Sequence, residues 1–439
     1  FLPKKIEQAR RYNEMEAING IPGELRSLDM STSGGMVGKI HHVKRKDMFE
    51  GEVGEKKPVG VLRQALDEIY CTVQHGHVPM IPCLEMHKTE LLPPDKLPRT
   101  FSACSPEHII WTKQVCGHAL VIMKEHLHIC ASSVGINPHG YEWQLLHETV
   151  VNRYGAQTRL LLGDISNCDL SVAPVFCELM FYLFNMVYRY VPNSCEYNEL
   201  RICCLSVSCQ LRARGYNLFE LDRGHPSGHF LTGIFNIVCI YVIHRYAYIS
   251  EVDIDKFPMK DYFFLKVYGD DSMGAVHSDI ECYFNMNVMQ EYFARFGMIY
   301  TNPEKETNGL VGTYPPEAAT FLSRTFRKSD NIVYAPLNVD AIYGMVMFVR
   351  TENGKTVEEA LDENIRAALM EMYHHGRDEF EYFKLQLWKE GRARGYTSLS
   401  LQTYTYHYFS KWQKDTYYGS EDPTNVGLSV NELTDMFWC

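Results

Sequence analysis

The stretch Tyr262-Phe263-Phe264-Leu265-Lys266-Val267-Tyr268-Gly269-Asp270-Asp271-Ser272-Met273-Gly274-Ala275-Val276 decides the fold. An apolar run, Tyr262–Tyr268, leads into Gly269-Asp270-Asp271-Ser272, and a second run follows from Met273 to Val276. That is the pattern of strand, tight turn, strand, a β-hairpin with acids at its tip. Gly269 permits the turn because it carries no Cβ. An exposed Asp-rich turn is the bland reading of the same residues, so the surroundings must decide.

Upstream, Arg159–Leu162 is a short apolar run ending in Gly163-Asp164, which predicts a buried strand that stops at a polar edge. Two such strands side by side would bring Asp164 to Asp270 across a long gap in sequence, with Asp271 as a second acid beside Asp270. Carboxylates on stiff elements suit nucleotidyl transfer, in which two Mg2+ ions neutralise a triphosphate and activate a 3′-hydroxyl. Mg2+ takes oxygen ligands and keeps several waters, so a few carboxylates suffice.

Further out, Cys177–Tyr190 reads as a helix and Phe321–Phe326 as another strand. Thr356-Val357-Glu358-Glu359 is a capping box. Leu361, Ile365, Leu369 and Met372 follow at helical spacing, Gly376 ends the run, and Asp378–Glu390 reads as a second helix. A mixed α/β region is thus followed by a mainly helical end.

The chain has 439 residues, 46% of them hydrophobic, enough for a sizeable core and two or three subdomains. Its net charge of −11 weighs against a uniformly basic nucleic-acid surface but not against a basic channel in an acidic exterior. The 14 cysteines have irregular spacing, and Cys203, Cys204 and Cys209 lack a histidine at zinc-finger distance, so reduced, mostly buried thiols are expected. Phe230–Ile243 is the most lipid-like stretch, shorter than the ~20 residues of a spanning helix, and suits a buried helix. No signal peptide is visible, and a start without methionine suggests a processed product or a cut piece of a longer chain.

Several spaced motifs resemble those of the right-hand RNA-dependent RNA polymerases of picorna-like positive-strand RNA viruses, in that family's order. Asp164-Ile165-Ser166-Asn167-Cys168-Asp169 resembles its first acidic motif. Gly224-His225-Pro226-Ser227-Gly228, continued by Thr232-Gly233-Ile234-Phe235-Asn236, resembles the next, and Tyr268-Gly269-Asp270-Asp271 matches the third. Leu28–Gly35 resembles the template-entry motif, Lys88-Thr89-Glu90-Leu91 with Arg99 the basic nucleotide motif, and Phe321-Leu322-Ser323-Arg324 the motif after the palm. Lys305 falls where the family has a lysine.

The resemblance implies an α+β right hand with an antiparallel palm sheet and a helical thumb. It implies fingers in 1–153 and 182–221, palm in 154–181 and 222–326, and thumb in 327–439. Asp164, Asp270 and Asp271 would hold two Mg2+ ions, with Mn2+ as a substitute, and Lys305 would protonate the departing pyrophosphate. Lys88 and Arg99 would contact the triphosphate as charge-assisted donors. Asp169, Ser227, Thr232 and Asn236 would read the ribose 2′-hydroxyl, and Gly228 would let the preceding loop move. Thr32, Ser33, Gly34 and Gly35 would meet the template. Lys44, Arg45 and Lys46 are either template contacts or a solvated run, and Lys305 beside Glu304 and Glu306 either a catalytic acid or a surface ion pair.

The implied partners are RNA template and primer, ribonucleoside triphosphates, a small viral protein primer and other viral replication proteins. The implied location is the host cytoplasm, at membrane-associated replication complexes. Two departures stand out: Leu92, in the proline-rich stretch 92–98, occupies a position where relatives carry a base, and the region before the template-entry motif is short, so part of the fingers is expected to be missing. A reverse transcriptase would carry a bulky gate near the sugar instead of Asp169 and Asn236. A non-catalytic RNA-binding scaffold would not need the intact acids.

Overall fold

The structure, a computed structural model, describes residues 9–89, 98–125, 131–208, 210–308, 310–329, 331–351 and 354–419. Its strands in chain order are β1 (Phe49–Glu50), β2 (Lys57–Pro58), β3 (Cys83–His87), β4 (Thr100–Ala103), β5 (Thr158–Ser166), β6 (Gln210–Arg214), β7 (Asn217–Leu221), β8 (Phe263–Tyr268), β9 (Asp271–His277), β10 (Ile299–Thr301), β11 (Arg327–Ser329) and β12 (Ile332–Tyr334). The central sheet has the order β10-β5-β9-β8 and is antiparallel throughout. A second sheet, β4-β3-β6-β7, contains one parallel pair, β3 with β6.

The central strands are mostly apolar, Lys266 in β8 and Arg159 in β5 being exceptions, because both faces of the sheet are covered. Alternate residues go to opposite sides. Leu161, Phe263, Leu265 and Val267 pack with Ile237, Ile240 and Ile243 of the helix Thr232–Glu251. Leu160, Leu162, Phe264 and Met273 pack on the other face with Trp143, Phe321 and Val333. Gly163 has a steric role here: a Cβ at this position would overlap the buried ring of Tyr300 in the neighbouring region of β10.

The hairpin forms as its sequence predicts, with Tyr268 opposite Asp271 and a two-residue loop of Gly269 and Asp270. Gly269 sits at φ +62°, the left-handed conformation that the first position of such a loop takes. Three expectations need adjusting. Strand β5 runs two residues past Asp164, because β10 pairs with Ile165 and Ser166 beyond the end of the β9 ladder. Phe321–Phe326 is a tight turn, not a strand: Leu322 and Ser323 are left-handed at φ 55° and 59°, and Phe321 and Arg324 exchange backbone hydrogen bonds. The apolar stretch at Phe230–Ile243 belongs to a 20-residue helix, Thr232–Glu251, long and apolar enough to cross a membrane by length and composition; 61% of its most apolar window is buried within the protein.

The C-terminal helices follow their local signals. Thr356 caps Val357–Tyr373, accepting from the Glu359 amide, while the Glu359 carboxylate accepts from the Thr356 amide. Ile365, Leu369 and Met372 pack with Phe380 and Phe383 of the helix Arg377–Ala393 and with Phe409. The described cysteines are free thiols, most of them buried.

Candidate active site

The register of β5 on β9 sets Asp164 directly opposite Asp271. The Ile165 amide bonds to the Asp270 carbonyl at 3.2 Å, so the hairpin tip is tied to the strand beside it. Like charges placed opposite each other on a sheet repel. Burial raises the Asp270 carboxyl, and the Asp164 charge raises it further. Burial pushes Asp271 up to about 7, against the pull of the Leu322 amide, which donates to Asp271 Oδ2 at 2.7 Å. Asp164 and Asp270 add to the rise. This is a set of acids short of positive charge.

One cation is at hand. Lys305 Nζ lies 2.6 Å from Asp164 Oδ2. Its ion pair is therefore with the acid across the cleft and not with Glu304 or Glu306. Lys305 is left-handed at φ 65°, in a turn that Asn302 and Glu306 brace through side-chain and backbone bonds. A cavity of ≈ 480 Å3 opens here, lined by Asp164, Asp271, Lys305, Leu322, Ser323 and Asn338 among others.

Among the described residues no group of three or more His, Cys, Asp or Glu side chains is arranged so that it could hold a metal ion by itself. Mg2+ does not require one, since waters and substrate phosphates complete its shell. The crowded carboxylates of Asp164, Asp270 and Asp271, held on paired strands and partly neutralised by Lys305, fit a pair of hard divalent ions as a donor set.

The loop Gly224–Gly228 is pinned on two sides. Gly224 N and His225 N bond to Val172 O and Asp169 O, both at 2.7 Å. Ser102 N donates to Ser227 Oγ at 3.0 Å, and a Cβ on Gly228 would meet the Ser102 carbonyl. Thr232 Oγ1 donates to the carbonyls of Pro226 and His229. Asn236 Oδ1 is 2.7 Å from His225 Nε2, with both residues buried. Ser227 and Asn236 are thus joined to β4 and His225 instead of to Asp169. The Asp169 charge still reaches the cleft, where it adds to the rise at Asp270. His225 is the residue that sequence reasoning passed over; its place inside the Gly-His-Pro-Ser-Gly motif was the available signal.

Thr32 and Ser33 line a second cavity of ≈ 770 Å3 together with Gly228 and Ser102. The turn before it is held by Asp29, whose carboxylate accepts from Ser31 N at 2.8 Å and Ser31 Oγ at 2.6 Å. Gly34 caps the helix Gly35–His41, and Gly35, at φ 63°, lies against Ser105 where a Cβ would not fit. Arg45 departs from its neighbours: it is 5% exposed and donates to the Asp29 carbonyl at 3.2 Å, so it braces this turn, while Lys44 and Lys46 are exposed. Lys88 and Arg99 stand together where the connecting loop joins β3 and β4, with Lys88 N bonded to Arg99 O at 2.9 Å. Glu90, Leu91 and Leu92 lie outside the described residues.

Comparison with known proteins gives one consistent picture. A family model described as viral RNA-dependent RNA polymerase matches residues 5–390. The RNA1 polyprotein of Blackcurrant reversion association virus is 27% identical, over 69% of this chain and 14% of its own length. The genome polyprotein of Rice tungro spherical virus (strain A) is 29% identical, over 87% of this chain and 12% of its own length. The chain therefore spans about one seventh or less of these two relatives. Among solved structures, the Sicinivirus 3Dpol RNA-dependent RNA polymerase superposes with a TM-score of 0.77 at 19% identity, covering 94% of this chain and 82% of that one. The fold is that of a right-hand polymerase.

Proposed function

The chain belongs to the family of viral RNA-dependent RNA polymerases, and on that premise we propose that the cleft of Asp164, Asp270 and Asp271 is its nucleotidyl-transfer centre. The reaction is template-directed RNA synthesis: addition of ribonucleoside monophosphates to an RNA 3′-end with release of pyrophosphate, for viral replication. The observation that carries the site assignment is the register that sets Asp164 against Asp271, with Asp270 one residue away and Lys305 on Asp164.

Asp164, Asp270 and Asp271 would hold two Mg2+ ions, or Mn2+ in their place. Such ions supply charge neutralisation of the triphosphate and a nucleophilic 3′-hydroxyl. The protein's own residues do the rest. Lys305, released from Asp164, would protonate the departing pyrophosphate. Asp169 faces the sugar, with Asn236 acting on it through His225 and the loop that the Asp169 carbonyl holds. Ser227, Gly228 and Thr232 shape that loop. Lys88 and Arg99 bind the triphosphate, and Thr32, Ser33, Gly34 and Gly35 border the template path, which the shared cavity with Gly228 supports.

On this reading 1–153 and 182–221 are the fingers, 154–181 and 222–326 the palm, and 327–439 the thumb. RNA template, primer and ribonucleoside triphosphates are the partners, with a small viral protein as primer and other viral replication proteins alongside. The working place is the host cytoplasm, at membrane-associated complexes. The test is incorporation on a primed RNA template in Mg2+, comparing wild type with Asp270→Asn. The carboxamide keeps the shape and loses the charge, so synthesis should be almost abolished while RNA binding persists. Near-normal synthesis by the variant would remove Asp270 from the centre, and inactivity of the wild type would favour a scaffold.

A further inference from the structure

Two pairs of buried thiols lie at the same Sγ–Sγ separation of 3.7 Å: Cys83 with Cys104, and Cys116 with Cys203. Their surroundings differ. Cys116 and Cys203 project from the helices Pro106–Glu125 and Cys195–Ser206 into a continuous apolar core, each 0% exposed. Cys104 instead lines the ≈ 770 Å3 cavity, which reaches solvent past the exposed residues Thr32 and Met86. A small solute can approach the first pair at Cys104, and not the second pair.

The backbone around the first pair is ready for a bond. In the β3–β4 ladder Leu84 faces Ala103 and Met86 faces Phe101, so one further step sets Cys83 opposite Cys104. Directly opposed residues in antiparallel strands have Cα atoms about 4.5–5.5 Å apart. Disulfides accept about 4.4–6.8 Å. Closing the S–S gap then needs rotation about χ1 and no strand movement. The two sulfurs share a hydrogen bond that holds the Cys83 thiol down and, with burial, pushes the Cys104 thiol well up, so Cys83 is the sulfur that gives up its proton first. The Arg212 guanidinium, 1% exposed and paired with Glu85, adds to the fall at Cys83. A thiolate is the reactive form of cysteine.

We propose that Cys83 and Cys104 form a peroxide-sensitive dithiol that closes reversibly into a disulfide across the base of the β3–β4 hairpin. One sulfur attacks an oxygen of the peroxide, the O–O bond breaks, and the hydroxide released takes up a proton as water. The sulfenic acid formed is then attacked by the second sulfur, which makes the S–S bond and expels the second oxygen as water with the remaining thiol proton. Two thiols and one peroxide give one disulfide and two waters; sulfur loses two electrons and peroxide gains them. A thiol reductant reverses the step by exchange. The bond ties together the start of β3 and the end of β4, so the hairpin bearing Lys88 and Arg99 can no longer open from this end.

The test does not depend on polymerase activity. The full chain is titrated with hydrogen peroxide, alkylated, digested without reductant and mapped by mass spectrometry. The expected result is a Cys83–Cys104 cross-linked peptide at low dose, loss of alkylation at both positions after denaturation, retained free thiols at Cys116 and Cys203, and reversal by dithiothreitol. Amide exchange across 84–87 and 100–103 should slow in the oxidised form. Failure of the cross-link to form overturns the proposal, as does its appearance only at doses that also link Cys116 to Cys203, since access would then come from unfolding. Over-oxidation of Cys104 without a cross-link overturns it too. A Cys104→Ser variant should lose the cross-link, and the wild-type map decides the matter even where that variant does not fold.

Discussion

Substituting Glu371 by glutamine should destabilise the protein by about 3 kcal/mol, because it leaves a buried guanidinium without its counter-charge. Arg324 donates from Nη1 and Nη2 to the two oxygens of Glu371, each at 2.7 Å, and the side chains are 12% and 9% exposed. Pairs this deep are not screened as surface pairs are. Removing one partner costs ~3–5 kcal/mol, whereas replacing both with apolar groups of similar volume is often close to neutral. Arg324→Met should fall higher in that range, since Arg324 also donates to the Ala335 carbonyl at 2.9 Å, which would be left bare. The double variant Arg324→Met, Glu371→Leu should recover most of the loss.

The pair has a functional side. Arg324 ends the left-handed turn whose Leu322 amide holds Asp271, and Glu371 belongs to the helix Val357–Tyr373. Loosening the pair should let Leu322 drift from Asp271, so Glu371→Gln should also lower the rate of nucleotide addition at saturating substrate. Urea denaturation gives the stability term and primer extension the rate. A Glu371→Gln cost below ~1 kcal/mol, or a double variant as unstable as the sum of the singles, would refute the reasoning, because the pair would then behave as an exposed one.

Asn236→Ala strips His225 Nε2 of its partner in a buried site, so a loss of ~1–3 kcal/mol is expected by denaturation. The preference for ribonucleotides over deoxyribonucleotides should narrow at least ~tenfold in the same variant; an unchanged preference with lowered stability would confine Asn236 to holding His225. Gly163→Ala should cost ~1–3 kcal/mol by overpacking against Tyr300 and should disturb Asp164 next to it, seen as lost stability and lost synthesis together. Burial raises the Glu107 carboxyl from 4.5 to about 7, and its Oε2 has no hydrogen-bond partner. The native state therefore binds this proton more tightly than the unfolded chain, and the stability it contributes is full below pH 4.5 and lost as pH rises through about 7. Glu107→Gln should accordingly stabilise at pH 8 by up to ~3 kcal/mol and change little at pH 4, with urea midpoints at the two pH values as the readout.

What the sequence made legible was local or strongly patterned. The hairpin from Phe263 to His277, the cap at Thr356 and the helix after it depend on neighbours within a few residues, and they form where their signals lie. The acids were legible as chemistry, but not as geometry. That Asp271, and not Asp270, stands opposite Asp164 follows from register, which β5 and β9 settle through more than 100 residues of separation.

The misreadings share one cause, a distant contact that outweighs local preference. Phe321–Phe326 has the aromatic and apolar content of a strand, yet Leu322 and Ser323 take left-handed angles that ordinary residues avoid. Their backbone is held by Asp271 on one side and by Asn338 N on the Ser323 carbonyl, at 2.9 Å, on the other. Arg45 looked like one of three equivalent bases, but a short 3-10 turn, Arg45–Met48, points it inward to Asp29 and leaves Lys44 and Lys46 outside. Each case binds a candidate site residue to an element far away in sequence. The turn at Leu322 and Ser323 is held by Asp271, by Asn338 and, through Arg324, by Glu371, so its geometry and the position of the acid are linked through these contacts. A sequence window that stops short of Glu371 cannot contain that dependence, and this is why the turn read as a strand.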